Sequence, residues 1–176
     1  MEIERRWLVN GWPELEHAAV IQMDQGYFAT HPAVRVRREA RQGGPCQYIV
    51  CFKGKGGLVR EEIELPVTVE QYQALAGMLT GPMIQKEQRR YPLPGGLTLE
   101  VNQVDRDLDT GFFYAEVEFP DEAAARAWDP PENLRTYLSR ETTGQSGESM
   151  AAYWARTTAS CEKKLPAAQG QRAFFH

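Results

Sequence analysis

The sequence is short of the residues that build most metal and disulfide sites. It contains three cysteines, Cys46, Cys51 and Cys161, and three histidines, and no two cysteines have the Cys-x-x-Cys spacing. This pattern indicates neither a zinc site nor a disulfide framework. No apolar run is long enough to span a membrane, and the first residues are acidic where a secretory signal would be basic. We therefore expect a soluble, cytoplasmic protein with no membrane partner.

The chain also lacks an excess of positive charge. It has 20 Lys and Arg against 24 Asp and Glu, which gives a formal net charge of -4 over 176 residues. Non-specific binding to a phosphate backbone usually needs a basic domain, so nucleic acid is not expected as a partner. The glycine-rich stretch at residues 54–57 is too short, and wrongly spaced, for a nucleotide P-loop. A local basic pocket within one domain is still compatible with these numbers.

Several segments instead alternate between charged and apolar residues at the period of a β-strand. In residues 1–9, Glu2, Glu4 and Arg6 share one face, and apolar side chains occupy the other. The same pattern recurs in at least four further segments. Together the charged faces hold Glu2, Glu4, Glu62, Glu64, Glu100, Glu116 and Glu118, and the basic residues Arg6, Arg35, Arg37, Lys53, Arg60, Lys86 and Arg90.

Two arrangements satisfy this pattern. In an open sheet the charges would pair across strands on a solvated surface, and each pair would contribute about 0.2–1 kcal/mol. In a closed barrel the charges would line the lumen, and the apolar faces would turn outward beneath helices. Such a lumen needs a polyanion for its cations and a metal for its carboxylates. Arginine and lysine recognise phosphate, and carboxylate oxygens suit Mg²⁺ or Mn²⁺.

Helices are predicted between and after the strands. Thr68 and Gln71 have the spacing of a capping box, which predicts a helix that continues to about Leu79. Further helical segments are predicted at residues 14–19, 122–128, 134–138 and 147–157. Residues 159–176 have a linker-like composition, and we expect them to form a poorly ordered C-terminal tail.

The charged segments resemble, in order, the motifs of one family. The opening Glu2-Ile-Glu4-Arg-Arg6 resembles the Glu-x-Glu-x-Lys signature that begins CYTH domains, the triphosphate tunnel metalloenzymes. The resemblance continues through Gln25-Gly-Tyr27, Arg35-x-Arg37, Lys53, Arg60-x-Glu62-x-Glu64, Arg90-Tyr91 and Glu116-x-Glu118-Phe119. It covers roughly residues 1–155.

The resemblance implies an α+β fold for residues 1–158, an eight-stranded antiparallel β-barrel whose charged lumen forms a tunnel flanked by helices. It also implies that the basic residues bind phosphates and that glutamates hold Mg²⁺ or Mn²⁺. The implied substrate-binding residues are Arg6, Arg35, Arg37, Lys53, Arg60, Lys86 and Arg90; the implied metal ligands are Glu2, Glu4, Glu62, Glu116 and Glu118; the implied catalytic residues are Arg6, Lys53 and Glu64.

The activity implied is metal-dependent hydrolysis of inorganic triphosphate at a phosphoanhydride bond. The partner expected is thus a small-molecule triphosphate, and a homodimeric assembly is compatible with the sequence. The alternatives are a class IV-type adenylate cyclase, a thiamine triphosphatase or nucleotide triphosphatase, and a noncatalytic module that binds polyphosphate or nucleotide.

Four positions depart from the family pattern, and all of them except Arg6, which keeps the positive charge, suggest the noncatalytic alternative. Arg6 stands where the family has lysine, Gln88 replaces a lysine for which Lys86 is expected to substitute, and Asn102 replaces an aspartate. The segment Thr142–Ser149 lacks the basic and aromatic residues that the family tends to have there.

Overall fold

The computed structural model describes residues 1–164, and a ten-stranded antiparallel sheet dominates this part of the chain. The strands are Glu2–Val9 (β1), Ala19–Thr30 (β2), Ala33–Arg41 (β3), Cys46–Lys53 (β4), Val59–Arg60 (β5), Glu62–Pro66 (β6), Ile84–Pro92 (β7), Thr98–Val104 (β8), Phe112–Glu118 (β9) and Arg140–Glu141 (β10). The helices are Val69–Gly77 (α1), Glu122–Ala127 (α2) and Met150–Lys164 (α3).

The sheet curls into a nearly closed barrel. Its strand order is β10-β1-β9-β8-β7-β2-β3-β4-β6, and β5, which lies directly before β6 in sequence, pairs with β1. In that pairing Glu2 lies opposite Arg60, so the two ends of the sheet meet at a seam beside β1. The predicted antiparallel barrel is confirmed, and eight of its strands have five or more residues. The strand count differs from the prediction because β5 and β10, of two residues each, complete the seam.

Strand alternation separates the two faces of the barrel wall. Buried on the outer face are Trp7, Leu99, Val101 and Val117, which pack in one core cluster with Ala125 of α2. Full burial of such large side chains contributes about 1.5–3 kcal/mol each. The apolar faces of the strands therefore turn outward beneath helical segments, as the barrel hypothesis predicts, and the charged faces are left to the lumen.

The capping box at the start of α1 is confirmed. The hydroxyl oxygen of Thr68 accepts a hydrogen bond from the backbone N–H of Gln71 at 3.1 Å. The side-chain oxygen of Gln71 accepts one from the backbone N–H of Thr68 at 2.9 Å. Helix α1 then packs against β3 and β4, with the ring of Tyr72 5.0 Å from the ring of Tyr48.

Helix α2 confirms the helix predicted at residues 122–128, and the remaining helix predictions need corrections. Residues 14–19 form no helix, because the backbone N–H of Ala18 already donates to Arg90 O as the chain enters the sheet. Residues 132–134 form a short 3-10 turn, earlier than the helical piece predicted at 134–138. Helix α3 begins at Met150, later than predicted, and reaches Lys164. The remainder of the predicted tail, residues 165–176, lies outside the described residues.

None of the helices within residues 1–164 combines the length and apolar character that crossing a bilayer requires.

Candidate functional site

Every residue that the sequence predicts for the site lines one cavity of about 1200 Å³ inside the barrel. These residues are Glu2, Glu4, Arg6, Arg35, Arg37, Lys53, Arg60, Glu62, Glu64, Lys86, Arg90, Glu116 and Glu118. The alternative of a solvated charged face on an open sheet is therefore wrong. The individual roles assigned to these residues stay predictions.

One group of luminal charges forms a satisfied network at the seam, and we call Glu2, Glu4, Lys53, Arg60 and Glu62 the seam cluster. The ammonium nitrogen of Lys53 lies 3.0 Å from a carboxylate oxygen of Glu2 and 3.2 Å from one of Glu62. The guanidinium of Arg60 donates to both Glu2 and Glu4. These bonds join β1 to β4, β5 and β6, so they help to close the barrel.

A second group carries buried donors that lack acceptors within residues 1–164. We call Arg6, Arg35 and Arg37 the unpaired-donor cluster. Four of their nitrogens, Nε and Nη2 of Arg6 and Nε of both Arg35 and Arg37, have no hydrogen-bond partner. A buried donor left without a partner costs about 1–3 kcal/mol, and a charged one costs more. Because all three guanidiniums line the cavity, an anion with several oxygens would satisfy them.

Lys86 lies in the lumen near this cluster and is almost fully buried. Burial lowers its pKa to about 7, and the charges of Arg35, Arg37 and Arg6 act in the same direction while Glu116 opposes them. Its ammonium nitrogen donates to the hydroxyl of Tyr114 at 2.8 Å. An anion placed among these cations would favour the charged form of Lys86.

Glutamates on β1, β8 and β9 form an acidic wall, which comprises Glu4, Glu100, Glu116 and Glu118. Glu4 lies directly opposite Glu118, and Glu100 lies directly opposite Glu116, on neighbouring strands. Burial and, next, the charge of Glu116 raise the pKa of Glu4 to about 8, and burial also raises the pKa of Glu100 and Glu118. Like charges at opposite positions destabilise a sheet, so a cation bound between them would be stabilising.

Two sets of carboxylates could therefore hold a metal. Besides the acidic wall, Cys51, Glu62 and Glu64 place one ligand atom each within 4.8 Å of one another. Glu62 and Glu64 already pair with Lys53 and Arg37, at 3.2 and 3.0 Å, so their charges are partly neutralised. The acidic wall is partly neutralised too, since Glu4 pairs with Arg60, Glu116 with Arg6 and Glu100 with Arg90. Both sets therefore offer oxygen ligands that suit a hard divalent cation.

The departures from the family pattern have defined places in the structure. Gln88 donates to Glu100 at 3.0 Å and to Asn102 at 3.2 Å, and it accepts from Arg90 at 3.0 Å. Gln88 therefore links neighbouring strands as a neutral bridge. In the Thr142–Ser149 segment, the hydroxyl of Thr143 accepts from the backbone N–H of Arg6 at 3.0 Å. This segment supports β1 without adding a cation to the lumen.

Several luminal residues received no role from the sequence, among them Glu100 and Tyr114. Glu100 was placed on a charged face but was given no role, although it stands in the acidic wall. Tyr114 was given no role either, although it lines the cavity and contacts two cations. Strand alternation could have identified Tyr114 as luminal, since it shares a strand face with Glu116 and Glu118.

The fold and lumen define an antiparallel β-barrel tunnel protein with basic and acidic walls. No family model matches the sequence. The chain is 35% identical over 130 residues to an inorganic triphosphatase of Nitrosomonas europaea, a match that covers 74% of this chain and 83% of that protein. The chain therefore belongs to the family of that inorganic triphosphatase.

Solved structures agree with this assignment. The crystal structure of the inorganic triphosphatase NE1496 matches with a TM-score of 0.56 and 26% identity, over 88% of this chain and 94% of that one. The PH1819 protein from Pyrococcus horikoshii OT3 matches with a TM-score of 0.61 over 93% of this chain and 100% of that one. At 18% identity, the second match supports the fold alone.

Proposed function

We propose that the protein hydrolyses inorganic triphosphate inside the tunnel with the help of a divalent metal ion. The observation that carries this proposal is that three arginines with buried, unpaired N–H groups line the same cavity as an acidic wall. A triphosphate supplies many acceptor oxygens in a short chain, so it suits several converging donors. The 35% identical relative, an inorganic triphosphatase, supports the same substrate, as does the resemblance to CYTH tunnel enzymes.

Two kinds of cation would bind the phosphates. Arg6, Arg35 and Arg37 would donate through their unpaired N–H groups, with the directional geometry of a guanidinium. Lys86 would act as a point charge, since an ammonium group has no fixed fork of donors. Together they would neutralise the charge that develops on the phosphoryl group and its leaving group, which is the main requirement of phosphoryl transfer.

The acidic wall fits Mg²⁺ or Mn²⁺. Its donors are carboxylate oxygens, and the pKa of Glu4 is raised first by burial and next by the charge of Glu116, both of which a bound cation would oppose. These carboxylates would hold the ion, and the chemistry that it would supply is charge neutralisation and an activated water. The metal ligands proposed from the sequence are Glu2, Glu4, Glu62, Glu116 and Glu118. We add Glu100 because it lies directly opposite Glu116 on the neighbouring strand.

Arg6, Lys53 and Glu64 are proposed to act on the reacting phosphate. Arg6 has two N–H-bearing nitrogens available to stabilise developing negative charge. Lys53 is held in place by Glu2 and Glu62. Glu64 is held by Arg37 at 3.0 Å and is partly exposed, which suits a carboxylate that orients an incoming water. No covalent nucleophile is required.

A noncatalytic binding module is the second candidate, and a specific observation favours it. Gln88 and Asn102 place neutral amides beside Glu100, where a further charge would strengthen the site. Such a protein would bind triphosphate without turnover.

Phosphate release from tripolyphosphate with Mg²⁺ or Mn²⁺ tests the proposal, with ATP and thiamine triphosphate as competing substrates. Glu4→Gln is expected to lower kcat by more than about 100-fold, because it removes a metal ligand, while metal-free binding of tripolyphosphate persists. Glu132→Gln, at an exposed position, is the matched control. Binding without phosphate release by the wild-type protein would favour the noncatalytic module, and formation of cyclic AMP from ATP would favour a cyclase.

A further inference from the structure

Tyr114 on β9 contacts two luminal cations that come from different strands. Its hydroxyl accepts a hydrogen bond from the ammonium nitrogen of Lys86 on β7 at 2.8 Å. The face of its ring lies 3.7 Å from the guanidinium carbon of Arg6 on β1. The side chain is only 1% exposed, yet it lines the cavity. One uncharged residue thus touches two of the groups that would bind phosphate.

These two contacts restrict the movement of two long cationic side chains in the lumen. Arg6 already reaches Glu116, with 3.1 Å between Nη1 and the carboxylate oxygen, and long cationic side chains lose about 2 kcal/mol of rotamer entropy when fixed. A carboxylate fixes a cation but also partly neutralises it, as Glu116 does at Arg6. An aromatic ring and a hydroxyl fix them and leave their charge available.

We propose that Tyr114 is a positioning residue: its hydroxyl holds Lys86 and its ring holds Arg6, so that both cations face the triphosphate. This inference rests on the proposed function, because triphosphate is the ligand to which the cations are directed. Tyr114 acts through Lys86 and Arg6.

Two substitutions separate the two contacts. Tyr114→Phe removes the hydroxyl and keeps the ring, and it is expected to raise the KM and the calorimetric Kd for tripolyphosphate about 3- to 10-fold, the worth of one hydrogen bond. The expected change in kcat is less than twofold. Tyr114→Leu also removes the ring and is expected to raise both constants further, because Arg6 then loses its contact.

A double-mutant cycle tests whether the hydroxyl acts through Lys86. In a Lys86→Met background, Tyr114→Phe is expected to cause no further rise in Kd. Tyr153→Phe is the matched control, because the Tyr153 hydroxyl donates to Asp105 at 2.7 Å and its ring belongs to the same apolar cluster as Tyr114. This control is expected to lower Tm and to leave Kd unchanged.

An NMR measurement on the ligand-free protein tests the inference even if the protein does not hydrolyse tripolyphosphate. The NMR signal of the Lys86 side chain, identified by its loss in Lys86→Met, is expected to move in Tyr114→Phe and to stay in place in Tyr153→Phe. An unmoved lysine signal, an unchanged Kd in Tyr114→Phe, or an equal rise in Kd in both backgrounds would overturn the inference. If the proposed function is wrong, the wild-type protein will release no phosphate. The lysine signal can still be measured in that case, so the two failures are distinguishable.

Discussion

The seam cluster and the unpaired-donor cluster use the same residue types for different purposes. In the seam cluster, Arg60 donates to Glu2 and Glu4, and Lys53 pairs with Glu2 and Glu62. In the unpaired-donor cluster, each guanidinium keeps at least one nitrogen without a partner in the described chain. Arg60 therefore uses its donors across the seam, whereas Arg6, Arg35 and Arg37 keep N–H groups from which an anion would accept.

The energetic consequences of the two arrangements are opposite. Removing one member of a buried ion pair leaves its partner uncompensated, so the ion pairs of the seam cluster should contribute to stability besides the roles proposed for its glutamates and Lys53. Unpaired buried donors already destabilise the ligand-free protein, and a bound anion would relieve that cost. Substitutions in the unpaired-donor cluster should thus affect binding more than folding. The four predictions below test this contrast.

The largest effect is expected at the seam. Arg60→Met leaves the carboxylates of Glu2 and Glu4 without their guanidinium, and we expect a loss of about 3–5 kcal/mol in the free energy of unfolding. Urea denaturation measures this loss. Arg60→Lys should recover part of it, because the charge is kept. Equal stability of Arg60→Met and the wild type would contradict the assignment of this cluster to barrel closure.

The next effect is expected at Arg35, which is almost fully buried and whose nearest carboxylates lie 3.8 and 3.9 Å away. Arg35→Met is expected to lower kcat/KM for tripolyphosphate about 10- to 150-fold, the worth of a hydrogen bond to a charged group. Its loss of stability should be smaller than that of Arg60→Met. Arg126→Met, at an exposed position on α2, is the control and should leave both quantities unchanged. A variant that is destabilised but fully active would contradict this prediction.

The sequence predicted the wall of the tunnel well, because alternation at period two is a local property. Glu2, Glu4 and Arg6 had to share a face once residues 1–9 formed a strand. The capping box was predictable for the same reason, since Thr68 and Gln71 are close in sequence. The resemblance to CYTH domains then predicted that the sheet closes into a barrel, which alternation alone could not decide.

The pairing of charges could not be predicted, because it depends on register between distant strands. Arg60 meets Glu2 only because β5 crosses to β1, and Tyr114 meets Lys86 only because β7 and β9 bring them together through the lumen. The failed helix at residues 14–19 has a similar cause. There a hydrogen bond to Arg90, far along the chain, overrides the local preference.

The third prediction concerns the pH dependence of binding through Lys86. Its pKa of about 7 means that the ligand-free amine is mostly neutral at pH 8, whereas a bound phosphate would hold it protonated. Binding above pH 7 should therefore take up a proton, and affinity should fall by up to about tenfold, or 1.4 kcal/mol, per pH unit. Calorimetry in two buffers of different ionisation enthalpy measures the uptake. Equal proton uptake by the wild type and Lys86→Met would rule out this role for Lys86.

The smallest effect is expected outside the barrel, where α1 packs on β3 and β4 opposite the luminal face that carries Arg35 and Arg37. Thr68→Ala removes the side chain that accepts from Gln71, which should cost about 1 kcal/mol of stability and lower Tm by about 2–4 °C. Because the strands are held by their own ladders, KM for tripolyphosphate should change by less than twofold. Thermal unfolding and steady-state kinetics measure the two quantities. A raised KM with unchanged Tm would mean that helix α1 sets the positions of the luminal arginines, and the division between stability and binding would then fail.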